Sequence, residues 1–193
     1  MEFGQFCPIA KATEVLGEKW TILILRELLM GSSRFSELQR GLSMISPAVL
    51  SKRLSTLVEY ELVLKKKLPG QRGYEYLPPT AAEELLPIFI DLGNWGLRWT
   101  REQLTSNDFD VDFLMLYLQR SIQPNMLPGK ETVIKFHFTD IKQQPDWWIL
   151  VKGMEIDVCT IDPAKEPDIY FACTVKCLSD IWMGETTYRK EIR

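Results

Sequence analysis

Histidine is nearly missing from this chain. His137 is its one copy in 193 residues. The four cysteines stand at 7, 159, 173 and 177, and none forms a Cys-x-x-Cys pair. A tetrahedral zinc site needs four closely spaced Cys or His ligands, so this supply argues against one. Catalysis is equally short of parts. There is no Gly-x-Ser-x-Gly elbow and no glycine-rich phosphate loop, and His137 falls alone on the polar face of an alternating segment. No enzyme, metal or cofactor is expected. Long apolar runs are absent too. Clean apolar runs, such as Ile22–Leu25, are only a few residues long, far short of a bilayer span. The first residues, Met-Glu-Phe-Gly-Gln-Phe-Cys-Pro, lack a basic region leading into an apolar stretch. No signal peptide is expected, which points to the cytoplasm and to reduced thiols.

An excess of charge is also lacking. There are 23 basic and 26 acidic residues, net −3, which by itself points to no nucleic-acid partner. The hydrophobic fraction of 46% and charged fraction of 25% are those of a globular chain. The mean conceals an asymmetry. Residues 1–99 carry 12 bases and 11 acids, whereas residues 100–193 carry 11 bases and 15 acids. Between 34 and 72 stand eight bases and only three acids, a local charge of +5. A basic patch on an acidic chain is the footprint of a polyanion partner. The hydrophobic period changes as well. Residues 8–60, 80–104 and 108–122 read as helical, and from 131 onward the pattern alternates by twos. Thr-Ser-Asn-Asp (105–108) joins the halves, which sets two domains at 1–105 and 106–193.

In the first half, Pro8–Leu16 reads as a helix interrupted by Gly17. Lys19–Leu29 reads as a helix with almost no polar face, which calls for cover on more than one side, in part from a second subunit. Arg34–Arg40 is a short helix and Gly41–Ile45 a turn. Ser46 before Pro47 is a strong helix start, a capping hydroxyl followed by proline at the first helical position. Leu50, Leu54 and Leu57 then fix the buried stripe. Ser46, Ala48, Ser51, Lys52 and Ser55 fall outside it, and no carboxylate appears until Glu59. A face without acids suits a helix entering the major groove between phosphate walls. The segments Leu62–Lys67 and Tyr74–Leu77 flank Pro69-Gly70-Gln71-Arg72-Gly73 as a hairpin with a basic tip. Two helices, a turn and a basic hairpin make a winged helix-turn-helix. The candidate DNA contacts are Arg34, Ser46, Ala48, Ser51, Lys52, Arg53 and Ser55, with Lys65, Lys66, Lys67 and Arg72 toward phosphates.

Several of these segments resemble the HxlR-type, MarR-related bacterial regulators. They are Cys7-Pro8-Ile9-Ala10, Leu16-Gly17-Glu18-Lys19-Trp20-Thr21, Arg34-Phe35-Ser36-Glu37-Leu38, Ile45-Ser46-Pro47, Leu50-Ser51-Lys52-Arg53-Leu54 and Trp95-Gly96. The likeness covers about residues 5–100. It implies a homodimeric transcriptional regulator that binds double-stranded operator DNA and pairs its first and last helices across a two-fold axis. Glu61 departs from the pattern, because the family usually has glycine there. Cys7 lies where the family often has a cysteine that in some members senses oxidants or electrophiles. It is therefore a candidate redox sensor, set against the plainer role of a small residue packed near the dimer interface.

In the second half, Val133–Asp140, Trp147–Val151, Met154–Thr160 and Asp168–Val175 read as strands of a meandering antiparallel sheet, followed by a helix over Leu178–Met183. The expected fold class is α+β: a winged helix-turn-helix followed by an α/β antiparallel-sheet domain. Aromatic residues are dense here. Phe136, Phe138, Trp148, Leu150, Phe171 and Trp182 are candidates for one apolar ligand pocket between sheet and helix, with a packed core as the alternative. Trp148-Ile149-Leu150, Asp157-Val158-Cys159, Pro167-Asp168-Ile169-Tyr170-Phe171 and Leu178–Gly184 resemble the sterol carrier protein fold. That likeness implies a domain for apolar molecules, which in the family continues into a further helix and strand. The expectation is a regulator with an apolar small-molecule effector and no membrane partner. A lipid or hydrophobic-ligand carrier whose winged helix serves protein contacts is the alternative.

Overall fold

The computed structural model describes residues 2–70 and 72–191. The chain divides into two compact units between Arg101 and Glu102. The first unit is helical with one hairpin. Helix α1 spans Pro8–Leu16, with proline in its first turn, where a missing N–H costs nothing. Helix α2 spans Thr21–Leu29 and starts later than its apolar pattern suggests. Trp20 precedes it in the left-handed region at φ 79°, a conformation a bulky side chain adopts only when its surroundings hold it. Its indole packs on the core and Lys19 Nζ lies 5.3 Å from the ring centre.

Helix α3 is Phe35–Gly41 and α4 is Pro47–Glu59. Strands β1, Leu64–Lys67, and β2, Tyr74–Leu77, pair antiparallel as the hairpin. A short α5, Thr80–Glu83, leads to α6, Leu86–Trp99. The core gathers Ile24, Leu25 and Leu28 from α2, Leu38 from α3, and Leu50, Leu54 and Leu57 from α4. Each such side chain contributes about 1.5–3 kcal/mol by leaving water. Helices of its own unit pack on α2, where Glu27 is fully buried beside Ile24 and Leu28, while Leu23 stays 38% exposed. A longer uncovered apolar surface lies on α6, which buries none of its residues.

The second unit opens with α7, Val111–Ser121, whose N-cap Asp110 accepts the Phe113 N–H at 3.2 Å. Four strands follow: β3 Glu131–Phe138, β4 Asp146–Lys152, β5 Glu155–Cys159 and β6 Ile169–Cys173. They are ordered β5-β4-β3-β6. The first three form an antiparallel meander, but β6 runs parallel to β3. The expected all-antiparallel sheet is therefore a mixed one. Parallel pairing requires a long crossover, and residues 139–168, which carry β4 and β5 themselves, provide it. Helix α8, Val175–Trp182, takes Val175 out of the strand assigned to it, because Thr174 caps the helix by accepting the Cys177 N–H at 3.1 Å. A last turn of helix, α9, spans Tyr188–Glu191. One sheet face packs on α7 and α8 around Phe138, Ile149, Met115 and Leu178.

Candidate nucleic-acid interface

Helix α4 is set by its cap and its stripe. The Ser46 hydroxyl accepts the Val49 N–H at 3.3 Å, and Leu50, Leu54 and Leu57 are at most 1% exposed. That anchoring turns Ser46, Ala48, Ser51, Lys52 and Ser55 outward, and all five are exposed. Arg53 is placed differently. Its guanidinium donates to Glu18 Oε2 at 2.7 Å, so it braces α4 against the segment ahead of α2. Arg34 is half-buried at the start of α3, where its N–H donates to Glu37 Oε2 at 3.0 Å. Glu37 also accepts from the Ser33 N–H at 2.8 Å, which closes the N-terminal end of α3.

The hairpin stands beside this helix pair. The Tyr76 N–H donates to the Ser33 carbonyl at 2.8 Å, and the Arg34 backbone forms an antiparallel β-bridge with that of Glu75, so the hairpin is fastened to the entry of α3. Every residue of β1 is exposed. Lys65 Nζ lies 4.1 Å from the centre of the Tyr74 ring, which holds it near the hairpin surface. Lys66 stands opposite Glu75 in the register, an acid that offsets part of its charge, and Lys67 stands opposite Tyr74. Arg72 is exposed at the tip; Gln71 lies outside the described residues. Glu61, the departure from the glycine pattern, has φ 56° at the turn between α4 and the hairpin. That is a backbone position suited to glycine, because a Cβ costs about 1–2 kcal/mol there.

Sequence reasoning missed the support beneath α3. Gly41 packs against the buried Glu27, whose Oε1 receives Arg26 Nη2 at 2.9 Å. A signal existed, since Glu27 sits three residues after Ile24 on the buried side of α2. Cys7 is half-buried and forms the N-cap position of α1.

The expected pocket of the second unit is not assembled as drawn. Phe136, Phe138 and Phe171 do meet on the helix-facing side, with ring centres 6.4 and 5.2 Å from Phe136. They are stacked ring on ring as core. Trp148 and Leu150 lie on the opposite sheet face, paired with Lys135 and Val133, because alternate residues of a strand point to opposite sides. Trp182 turns to Tyr117, edge to face at 5.2 Å. Together with Phe109 and Phe113 these two line a separate apolar pocket of about 180 Å³. No helix among the described residues is long and apolar enough to cross a membrane.

A capped second helix with an acid-free outer face, beside a lysine-bearing hairpin, defines the first unit as a DNA-binding winged helix-turn-helix. Residues 15–104 match the HxlR-like helix-turn-helix family. The HTH-type transcriptional regulator YvaP of Bacillus subtilis (strain 168) is 35% identical over 102 residues, which cover 51% of this chain and 94% of YvaP. The regulator MT3179 of Mycobacterium tuberculosis (strain CDC 1551 / Oshkosh) is 38% identical over 91 residues, and the match spans 56% of its length. Among solved structures, quinone-bound YodB from B. subtilis aligns with a TM-score of 0.43 at 28% identity, over 49% of this chain and 100% of that one. The chain belongs to the HxlR-like family of helix-turn-helix transcriptional regulators.

Proposed function

We propose that the protein is a cytoplasmic regulator that binds operator DNA as a homodimer and responds to an apolar small molecule through its second unit. The observation that carries the DNA reading is the outer face of α4. Ser46, Ala48, Ser51, Lys52 and Ser55 are exposed together, with no carboxylate among them. In this reading Ala48, Ser51 and Lys52 approach base edges, while Lys65, Lys66, Lys67 and Arg72 approach phosphates. Arg34 and Arg53 support the helices that carry them, Arg53 through Glu18.

The dimer reading rests on α6. Ile88, Leu92, Trp95 and Trp99 recur at i, i+4, i+7 and i+11, and are 58, 46, 55 and 65% exposed. An apolar stripe of that spacing is a helix-pairing seam, and α1 adds exposed Ile9. Residues 1–105 then serve DNA binding and dimerisation, and Cys7 is a small residue near that seam. Residues 106–193 form a sterol-carrier-like sheet and helix unit whose effector site is the Phe109–Trp182 pocket. The carrier alternative is not favoured, because it leaves the outer face of α4 without a purpose.

The test is fluorescence anisotropy with duplex DNA from upstream of the protein's own gene. The expected result is saturable binding by two chains per site, weakening steeply with salt. Equal, salt-insensitive affinity for all sequences, or no binding at 50 mM salt, would refute the reading.

A further inference from the structure

The outer face of α4 is free of acids, yet it is poor in the side chains that read bases by paired hydrogen bonds. In the major groove adenine is read by the donor and acceptor of Asn or Gln, and guanine by Arg or Lys. Residues 44–58 contain no Asn and no Gln. Their one arginine, Arg53, gives its guanidinium to Glu18 Oε2 at 2.7 Å. Lys52 is left as the exposed cation of this stretch, enough for one guanine. The Ser46 oxygen accepts the Val49 N–H at 3.3 Å as the helix cap. Ser51 and Ser55 carry hydroxyls that both donate and accept, so they pair with any base and discriminate little.

What the N-terminal end of α4 does present is apolar surface. Met44, in the turn from α3, is 85% exposed, and Val49, in the first turn of α4, is 38% exposed. Ala48 beside it is exposed as well. Ile45 next to Met44 is buried, so the turn is anchored in the core while Met44 is left outside it. No carboxylate occurs between Glu37 and Glu59, whereas Arg40, Lys52 and Arg53 do. An apolar patch in such surroundings is continuous with the face assigned to DNA. The major groove offers one apolar group, the C5 methyl of thymine.

We infer that Met44, Ala48 and Val49 pack on thymine C5 methyl groups, so that α4 selects A·T pairs through their thymine rather than their adenine. The inference rests on the DNA reading above and names what that face recognises. Lys52 then supplies the guanine contact, and the serines fill the remaining hydrogen bonds without choosing among bases.

The experiment is fluorescence anisotropy of the full chain at 50 mM salt with the duplex from upstream of the protein's own gene, synthesised once with thymidine and once with deoxyuridine throughout. Uracil pairs as thymine does and lacks the methyl alone. Burial of one methyl is worth about 4-fold in affinity, and two half-sites raise this to about 15-fold in favour of the thymidine duplex. Met44→Ala combined with Val49→Ala trims exposed atoms and leaves the core leucines untouched, so its Tm should match that of wild type. This variant should bind the two duplexes within about 2-fold of each other, and the deoxyuridine duplex as wild type does, because protein and DNA methyls then count as one coupled pair. If wild type binds both duplexes equally, the methyl inference is overturned while the DNA reading stands. If the variant keeps the full thymidine preference, the methyls are read elsewhere and the assignment to this patch is overturned. If wild type binds neither duplex, both readings are overturned.

Discussion

Gly41 closes α3, and alanine in its place sets two effects against each other. Its backbone is helical rather than left-handed, so propensity alone would favour alanine by about 0.5–1 kcal/mol. Space opposes this. A Cβ built at Gly41 falls 2.6 Å from the carboxyl carbon of Glu27 and nearer still to Oε2. No real Cβ tolerates that separation. Glu27 is 0% exposed and held by Arg26, so it has no solvent to retreat into. Overpacking of this kind costs about 1–3 kcal/mol. The clash wins, and Gly41→Ala should destabilise the first unit by about 1–2 kcal/mol net. In a unit of this size that lowers Tm by roughly 5–15 °C. Scanning calorimetry of the full chain reads it directly. Glu27→Ala opens the space, so in that background Gly41→Ala should be neutral or stabilising. A Gly41→Ala protein as stable as wild type would refute the packing argument. So would an equal cost in both backgrounds, because the two positions would then not be coupled. Gly93→Ala, with nothing near its added Cβ, is the control and should not destabilise.

Glu61→Gly should raise stability by about 0.5–1 kcal/mol in urea unfolding, because it relieves the left-handed backbone at φ 56°, whereas Glu61→Ala should not. Burial, with Cys177 and Asp140 adding to it, pushes the Cys173 thiol up to about 11. The unfolded chain then loses this proton near pH 9 and the folded chain only near 11, so Cys173 contributes stability below pH 9 that is lost as pH rises through 11. Cys173 should accordingly resist iodoacetamide at pH 8.5, which mass spectrometry of the intact fold can check. Trp95→Lys combined with Ile88→Lys should turn a sedimenting dimer into a 22.4 kDa monomer without loss of helix content; an unchanged dimer would move the interface off α6.

Local signals made much of the first unit legible. Pro8 and Gly17 bracket α1 at its observed bounds, and Ser46-Pro47 opens α4 where the cap is found. The alternation of β3 was equally plain, with Ile134, Phe136 and Phe138 all buried. Strand direction was not legible, because period-two alternation reads the same for parallel and antiparallel partners. In β4 the run Trp147–Val151 is apolar at every position, so it offers no period to say which residues face the helices. Choosing Trp148 and Leu150 rather than Trp147, Ile149 and Val151 is a slip of one residue, and one residue reverses the face. The aromatic pocket was within reach of the sequence through the spacing of Phe109, Phe113 and Tyr117. Trp182, from α8, could be placed there only by the tertiary fold.

DNA recognition by α4 and the hairpin is the central claim, and the salt dependence of binding by Lys52→Ala and Arg72→Ala tests it most directly. Anisotropy titrations on the operator and on a scrambled duplex, across 50–200 mM salt, give both affinity and slope. Lys52→Ala should cost about 1–3 kcal/mol on the operator and little on the scrambled duplex, as a base contact would. Arg72→Ala should weaken both duplexes alike and flatten the slope of log K against log salt by about one unit. Wild-type affinity and slope in both variants would contradict the assignment of this face to DNA.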